Sequence, residues 1–140
     1  DCGNCGPDFH AIRQMVSNHF GASVIQSHGL EDTLELLRNQ SVDLVTVNRK
    51  LDRDYSDGLD VAVAIKSDPE LGSIPIMLVT NYDEHQETAM AAGCVKGFGK
   101  LAINITRAIF NYETKFIRHD LINILYNINL QIWKKIKLFY

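Results

Sequence analysis

The sequence predicts an α/β fold built on a parallel sheet, and two observations lead to this prediction. Short β-branched or aliphatic runs, which are typical of strands buried on both faces, recur along the first hundred residues. Amphipathic helical patterns of roughly ten residues separate these runs, and such alternation is typical of βαβ units. The 140 residues, of which 46% are apolar, suffice for one domain with a single core.

The elements of the first half follow from periodicity and from residues that begin or end helices. Apolar residues at helical spacing predict a helix over 8–20, which Asp8 is expected to cap and Gly21 to end. A short β-rich run follows at residues 22–27. Leucines three and four apart then predict a second amphipathic helix over 30–39.

The second half begins with DLVTVN at residues 43–48, which predicts a buried strand. After a charged loop, the pattern predicts a helix over 58–67 in which Leu59, Val63 and either Ile65 or Ala62 face inward. The run IPIMLVT at residues 74–80 predicts the next buried strand, because a Pro near a strand start is tolerated.

A short helix over 83–92 and a last strand over 95–98 complete the alternation. Open parallel sheets place ligands at the carboxyl ends of their strands. Three such ends are visible in the sequence, at Asn48, Thr80 and Lys100. These side chains are therefore the candidate functional residues.

Charge divides the chain into two unlike parts. Residues 1–100 hold 8 Lys and Arg against 15 Asp and Glu, whereas residues 101–140 hold 6 against 2. The acidic balance of the first part argues against a nucleic-acid surface there. No run approaches the ~18 apolar residues of a membrane span. Three cysteines are too few for a secreted disulfide scaffold, so we expect a reducing, cytoplasmic location.

The stretch from Asp8 to Lys100 resembles the receiver domain of two-component response regulators. DLVTVN is similar to the family's third strand, and the segment SDGLDVA at 56–62 is similar to the start of the helix that follows it. IPIMLVT resembles the fourth strand, which ends in a switch Thr or Ser, and AAGCVKGFGK resembles the stretch that closes with the family's Lys. The resemblance implies a CheY-like, flavodoxin-like, doubly wound sheet with strand order 2-1-3-4-5.

The resemblance implies roles for the strand-end residues. Asn48 occupies the position of the phosphoacceptor Asp, Thr80 that of the switch residue and Lys100 that of the phosphate-pocket Lys. Phe98 is either the switch aromatic, one residue closer to Lys100 than usual, or a core aromatic. Asp1 is the candidate for the family's acidic pocket.

A neutral amide is a poor nucleophile, so Asn48 cannot form the acyl phosphate on which receiver chemistry depends. One carboxylate at Asp1, without a second at position 48, makes a weak Mg²⁺ site. We therefore expect a degenerate receiver, or pseudo-receiver, that needs no cofactor and is not an enzyme. Its expected mode of action is protein contact without phosphorylation at Asn48.

A second hypothesis rests on the Cys2-Gly3-Asn4-Cys5 spacing. A Cys-x-x-Cys pair before a helix is found in thiol redox proteins, because a helix N-terminus lowers the pKa of a thiol. The alternative function is accordingly a redox protein that uses Cys2 and Cys5. A zinc site would need further ligands, which Cys94 alone does not supply.

The sequence also predicts where the receiver pattern stops. The chain begins at Asp1, which would fall just after the first strand, so we expect that strand to be missing and the sheet to be poorly stable. The receiver-like domain is expected to cover residues 1–115, with its fifth helix starting near Asn104, and an amphipathic helical extension to cover 116–140. Three interpretations of this tail stay open: a partner or core helix, a helix on a membrane surface, and an adventitious sequence.

The resemblance implies protein partners of three kinds: a histidine kinase, another receiver or an output domain. A homodimer through the fourth helix, fifth strand and fifth helix is possible in this family. That surface corresponds here to residues 83–92, 95–98 and the start of the tail. We expect no nucleic-acid partner and no membrane surface.

Overall fold

The computed structural model of the chain describes residues 1–103. Its complete helices are α1 (Gly6–Phe20), α2 (Leu30–Asn39), α3 (Gly58–Ser67) and α4 (Asp83–Ala91). Its strands are β1 (Val45–Asn48), β2 (Ile76–Val79) and β3 (Val95–Phe98), and a further helix begins at Lys100. The fifth helix expected from Asn104 and the extension over 116–140 lie outside the described residues.

The three strands form one parallel sheet in the order β1-β2-β3. Val45 pairs with Ile76 and Asn48 with Val79, so β1 and β2 run in register along their whole length. The ladder between β2 and β3 contains an irregularity between Met77 and Val79. The structure confirms the predicted α/β architecture with a parallel sheet.

Residues 1–3 lie inside this sheet. Cys2 pairs in parallel with Val47 on one side and with Ser27 on the other. The amide of Cys2 donates to the Thr46 carbonyl at 2.8 Å, and the amide of Gly3 donates to the Ser27 carbonyl at 2.9 Å. The spatial order is therefore Ser27, Cys2, β1, β2, β3, which matches the expected 2-1-3-4-5. We expected the first strand to be missing, but in the structure residues 1–3 partly fill its place.

The predicted strand over residues 22–27 forms only at its last residue. Ser27 pairs with Cys2, whereas the preceding residues are extended without regular pairing. A strand needs a hydrogen-bonded neighbour, and Asp1–Gly3 reach only the end of this run. The β-rich composition predicted the extended backbone of this run correctly, but it did not predict that only Ser27 would pair with a neighbouring segment.

The apolar core lies on both faces of the sheet. On one face, Leu37 of α2 and Ile65 of α3 belong to the same cluster as Val47 and Leu78. On the other face, Ile12 and Met15 of α1 pack with β2 and β3 through the residues Met77, Val79 and Phe98. Burial on both faces explains why β2 is a continuous apolar run and why all four residues of β1 are buried.

Two details of the helices differ from the prediction. The structure begins α1 at Gly6, with Cys5 as the N-cap, so Asp8 lies in the first turn and does not cap the helix. In α3 the predicted Ala62 and Ile65 are buried, whereas Val63 is 43% exposed, so its predicted inward position is wrong. The end of α1 is as predicted, because Gly21 adopts a left-handed conformation with φ 61°.

Candidate functional site

The sheet brings three of the candidate side chains to one edge. Asn48 ends β1, Thr80 follows β2 directly and Lys100 lies two residues after β3. Because the strands are parallel, their carboxyl ends share this edge. Each of the three side chains is held there by a different set of partners.

Asn48 is buried, and its side-chain nitrogen donates two hydrogen bonds to the backbone. Nδ2 donates to the carbonyl of Gly3 at 3.1 Å and to the carbonyl of Lys50 at 2.6 Å. Gly3 follows the segment paired to β1, and Lys50 opens the loop after β1. The side-chain nitrogen of Asn carries two hydrogens, and each of them can be donated to one of these two carbonyl oxygens.

This arrangement does not fit the magnesium ion that the receiver resemblance implies. A divalent cation needs several oxygen ligands, most of them carboxylates or carbonyls. Here the two carbonyls that point to position 48 are already bonded to the Asn48 amide. Among residues 1–103, no group of three or more His, Cys, Asp and Glu is placed to hold a metal ion.

Thr80 is buried and is held by the loop between β2 and α4. Its Oγ1 accepts a hydrogen bond from the amide of Tyr82 at 3.3 Å and lies 3.3 Å from Nδ1 of His85. The ring of Tyr82 packs edge-on against the ring of His85, with centroids 5.4 Å apart. The hydroxyl of Thr80 therefore contacts α4 through His85.

Lys100 forms an ion pair with Asp8 of α1, 92 residues earlier in the chain. The same Asp8 oxygen accepts a hydrogen bond from the thiol of Cys5 at 3.2 Å. Burial raises the pKa of Asp8, but the hydrogen bonds from Lys100 and Cys5 and the charge of Lys100 outweigh it and lower the pKa overall. The ammonium group of Lys100 is thus directed to α1, where it is paired with the carboxylate of Asp8.

Phe98 is a core aromatic in this structure. Its side chain is 7% exposed and packs with Met77, Val79 and Ile103. Its role as the switch aromatic stays a prediction.

Asp1 lies one rung below the edge of the sheet. Its Oδ1 accepts hydrogen bonds from Oγ1 of Thr46 at 2.7 Å and from Nδ2 of Asn4 at 2.8 Å. Thr46 precedes Asn48 by two residues on the same face of β1. The structure therefore connects Asp1 with Thr46 and Asn4, and its role as an acidic-pocket residue stays a prediction.

The geometry gives the redox hypothesis no support. Cys2 is fully buried, and its sulfur accepts a hydrogen bond from Thr33 of α2 at 3.3 Å. Burial raises the pKa of the Cys2 thiol, which disfavours the reactive thiolate. Cys5 instead contacts Asp8, and both cysteines are free. The two thiols have different surroundings and different partners.

Sequence reasoning missed Gln86, which is buried and connects two strands. Its Nε2 donates to the carbonyls of Leu78 and Thr80, and its Oε1 accepts from the amide of Gly97 at 2.9 Å. These bonds lie where the pairing of β2 and β3 is irregular. The sequence gives only a weak signal for Gln86, which is a polar residue three positions before the buried Ala89 on the same helix.

Comparisons with known proteins agree with this architecture. No family model matches the chain, and no curated protein matches it in sequence. Among solved structures, NtrX from Brucella abortus superposes on 98% of this chain with a TM-score of 0.64 at 14% identity. The chain spans 28% of the length of that NtrX structure.

The crystal structure of the receiver domain of NtrX from Brucella abortus gives a similar result. It matches 76% of this chain and 95% of its own length, with a TM-score of 0.55 at 16% identity. At these identities the comparison shows the fold alone. The chain has the α/β receiver fold, in agreement with the class predicted from the sequence.

Residues 83–92 and 95–98, which the sequence analysis named as a candidate contact surface, correspond to α4 and β3. Three large apolar or aromatic side chains are exposed on or beside it: Tyr82, Met90 and Leu101. Within residues 1–103, none of the helices is both long and apolar enough to cross a membrane.

Proposed function

We propose that the chain is a receiver-like signalling module of a two-component phosphorelay that acts by protein contact, without phosphorylation at Asn48. The observation that carries this proposal is the amide of Asn48, which donates to the carbonyls of Gly3 and Lys50. The receiver fold supports a role in two-component signalling. The hydrogen-bonded amide at position 48 supports a mode of action without phosphorylation at that residue.

Phosphoryl transfer to a receiver needs a nucleophilic oxygen that carries a negative charge. The nitrogen of Asn48 is an amide donor, and its two hydrogens are already bonded within the protein. Lys100, which would offset the charge of a phosphoryl group, is paired with Asp8. The side chains of Asn48 and Lys100 are therefore both bonded within the protein at this edge of the sheet. We propose that the domain is not an enzyme.

We propose protein partners of the three kinds that the fold family uses: a histidine kinase, another receiver or an output domain. The described part of the candidate surface supports this, because Leu101 is 70% exposed and Tyr82 is 63% exposed beside α4. Exposed apolar side chains of this size gain free energy when a partner covers them. A cytoplasmic location and a homodimer through this surface belong to the same proposal.

Incubation with acetyl phosphate and Mg²⁺ tests the absence of phosphorylation. We expect the intact mass of the chain to stay unchanged, while a phosphate-accepting receiver domain in the same reaction gains a phosphoryl group. A phosphoprotein that is stable in acid and labile to hydroxylamine would contradict the proposal, and peptide mapping would locate the modified residue.

Sedimentation velocity tests the contact surface. Leu101→Asp places a charge on the candidate surface, and Val63→Asp places one at an exposed apolar position of α3 as a matched control. If the chain self-associates, we expect Leu101→Asp to weaken association by tenfold or more and Val63→Asp to leave it unchanged. The opposite pattern would place the contact elsewhere.

A further inference from the structure

A surface along α4 combines exposed apolar side chains with exposed carboxylates. Tyr82 and Leu101 are 63% and 70% exposed, and Met90 in the last turn of α4 is 38% exposed. Three exposed carboxylates lie along the helix between Tyr82 and Met90: Asp83, Glu84 and Glu87. We call these six residues the α4 surface.

The residues of the α4 surface are neighbours in space. Oδ1 of Asn81 accepts a hydrogen bond from the amide of Leu101 at 3.3 Å, and Tyr82 follows Asn81 directly, so Leu101 lies beside the start of α4. The helix rises by ~1.5 Å per residue, which puts Met90 about 12 Å from Tyr82 along its axis. Glu87 and Met90 are three residues apart and therefore share one face of the helix. The α4 surface thus has an apolar patch at each end and carboxylates between the two patches.

The negative charge of this surface is not balanced in the described part of the chain. Helix α4 contains no Lys or Arg, and neither Asp83 nor Glu87 forms an ion pair with any residue that the structure describes. Glu84 lies 3.9 Å from Nε2 of His85, a ring that is charged only when it is protonated. The other acidic helix, α2, differs because it carries Arg38 in its last turn. An occupant that complements the α4 surface must therefore supply both positive charge and apolar side chains.

The segment 132–140 of this chain has the required chemistry. Its sequence IWKKIKLFY contains three lysines and no Asp or Glu, and its other six residues are all large apolar or aromatic ones. Lysines that alternate with such residues can pair with carboxylates while their apolar neighbours cover an exposed patch. This segment lies outside the described residues, and its sequence complements the α4 surface in both charge and hydropathy.

The position of the α4 surface in the chain favours this occupant over a free one. Leu101 belongs to the surface, and Ile103 is the last residue that the structure describes. The 28 residues 104–131 then lead to the segment 132–140. A tether that starts at the binding surface holds its other end at an effective concentration on the order of millimolar. A separate peptide of the same affinity would need a similar concentration to compete.

We propose that the segment 132–140 docks on the α4 surface of its own chain and covers it. A protein partner that uses this surface must then displace the segment first, so docking regulates access to the partner site. This inference rests on the proposed function for the role of the α4 surface in partner binding. Failure of the two is distinguishable, because phosphorylation is measured by the mass of the chain and docking by the fluorescence of Trp133.

Quenching of fluorescence by acrylamide tests the proposal on the full chain. Trp133 is the only tryptophan, so the signal reports on the segment 132–140 alone. The variant Glu84→Lys/Glu87→Lys reverses two exposed charges of α4, and Glu31→Lys/Glu35→Lys reverses two exposed charges of α2 as a matched control. We expect the α4 variant to raise the quenching constant of Trp133 twofold or more, because the segment is released into water. The α2 variant should leave the constant unchanged.

A compensating variant separates docking from a change in folding. Lys134→Glu/Lys135→Glu alters only the segment, and we expect it to raise the quenching constant as the α4 variant does. The combination of both charge reversals should restore the value of the parent chain. Restoration that is equal at low micromolar and at tenfold higher chain concentration supports docking within one chain. An unchanged constant in the α4 variant, no restoration in the combined variant, or shielding of Trp133 only at the higher concentration would overturn the proposal, the last because the occupant would be a second copy.

Discussion

Replacing Asn48 by Asp tests how the edge of the sheet is held together. The substitution keeps the shape of the side chain but puts an oxygen where Nδ2 now meets the carbonyls of Gly3 and Lys50, at 3.1 and 2.6 Å. Two hydrogen bonds are lost, each worth about 1 kcal/mol, and the remaining oxygens repel one another. We expect the free energy of unfolding to fall by about 2–4 kcal/mol at neutral pH.

The pH dependence of this loss follows from the same geometry. Crowding by two carbonyl oxygens disfavours the charged carboxylate, so the pKa of the new Asp would be higher in the folded chain than in the unfolded one. Below the unfolded pKa of about 3.9 the carboxyl group is protonated in both states and can donate to the Lys50 carbonyl. The cost relative to the parent chain is therefore smallest near pH 4 and grows as the pH rises through the folded pKa.

Urea unfolding of both proteins at pH 4 and pH 7.5 measures this cost, and the parent chain at each pH removes the contribution of other groups. Asn81→Asp is a matched control, because Asn81 is exposed after β2 and its Oδ1 already accepts from Leu101. We expect the control to change stability by less than about 0.5 kcal/mol at either pH. A cost for Asn48→Asp below about 1 kcal/mol at pH 7.5, or one independent of pH, would refute the reasoning.

Four further substitutions test other contacts. Gly58→Ala would drive its Cβ into the carbonyl of Asn48 and should cost about 2–3 kcal/mol in urea unfolding; a cost below about 0.5 kcal/mol would mean that the loop before α3 can shift. Gln86→Leu removes three buried hydrogen bonds to the backbone and should cost about 2–4 kcal/mol, whereas exposed Gln14→Leu on α1 should be nearly neutral. Asp32→Ala removes the carboxylate that accepts hydrogen bonds from the amides of His28 and Gly29 at the start of α2. The thermal midpoint should fall by an amount that corresponds to about 1 kcal/mol. An unchanged midpoint would show that water replaces this cap. Asp8→Asn removes the partner of Lys100, a contact that should stabilise the fold by at most about 1 kcal/mol. Because the pKa of Asp8 is lowered in the folded chain, this stabilisation should be present at pH 7 and lost as the pH falls below 3.8. A stability difference between variant and parent that persists at pH 2.5 would contradict this.

Local patterns in the sequence were sufficient for most of the elements. Helix α2 begins at Leu30 and ends at Asn39 as predicted, because its leucine spacing and acidic first turn are both local signals. The bounds of α3 were equally clear, since Asp57 caps it and Asp68-Pro69 ends it. The ends of β1 and β2 placed Asn48 and Thr80 at the correct edge.

The rest depended on contacts between residues far apart in the sequence. The pairing of Lys100 with Asp8 and the bonds from Asn48 to Gly3 join segments that no local pattern connects. Cys2 reads as half of a redox motif in the sequence, yet the sheet buries it between Ser27 and Val47. The helical pattern predicted an inward position for Val63 wrongly, because apolar residues occupy both faces of α3.

The ion pair between Asp8 and Lys100 also bears on how the domain folds. It closes a loop of 92 residues, and the entropy of closing such a loop must be lost before the contact can form. We expect this contact to form after the transition state for folding, because it joins the first turn of α1 to a residue that is placed only once β3 has paired. Breaking the pair should then speed unfolding and leave the folding rate nearly unchanged. This contact between the start of α1 and the end of the sheet would thus act mainly on the lifetime of the folded domain.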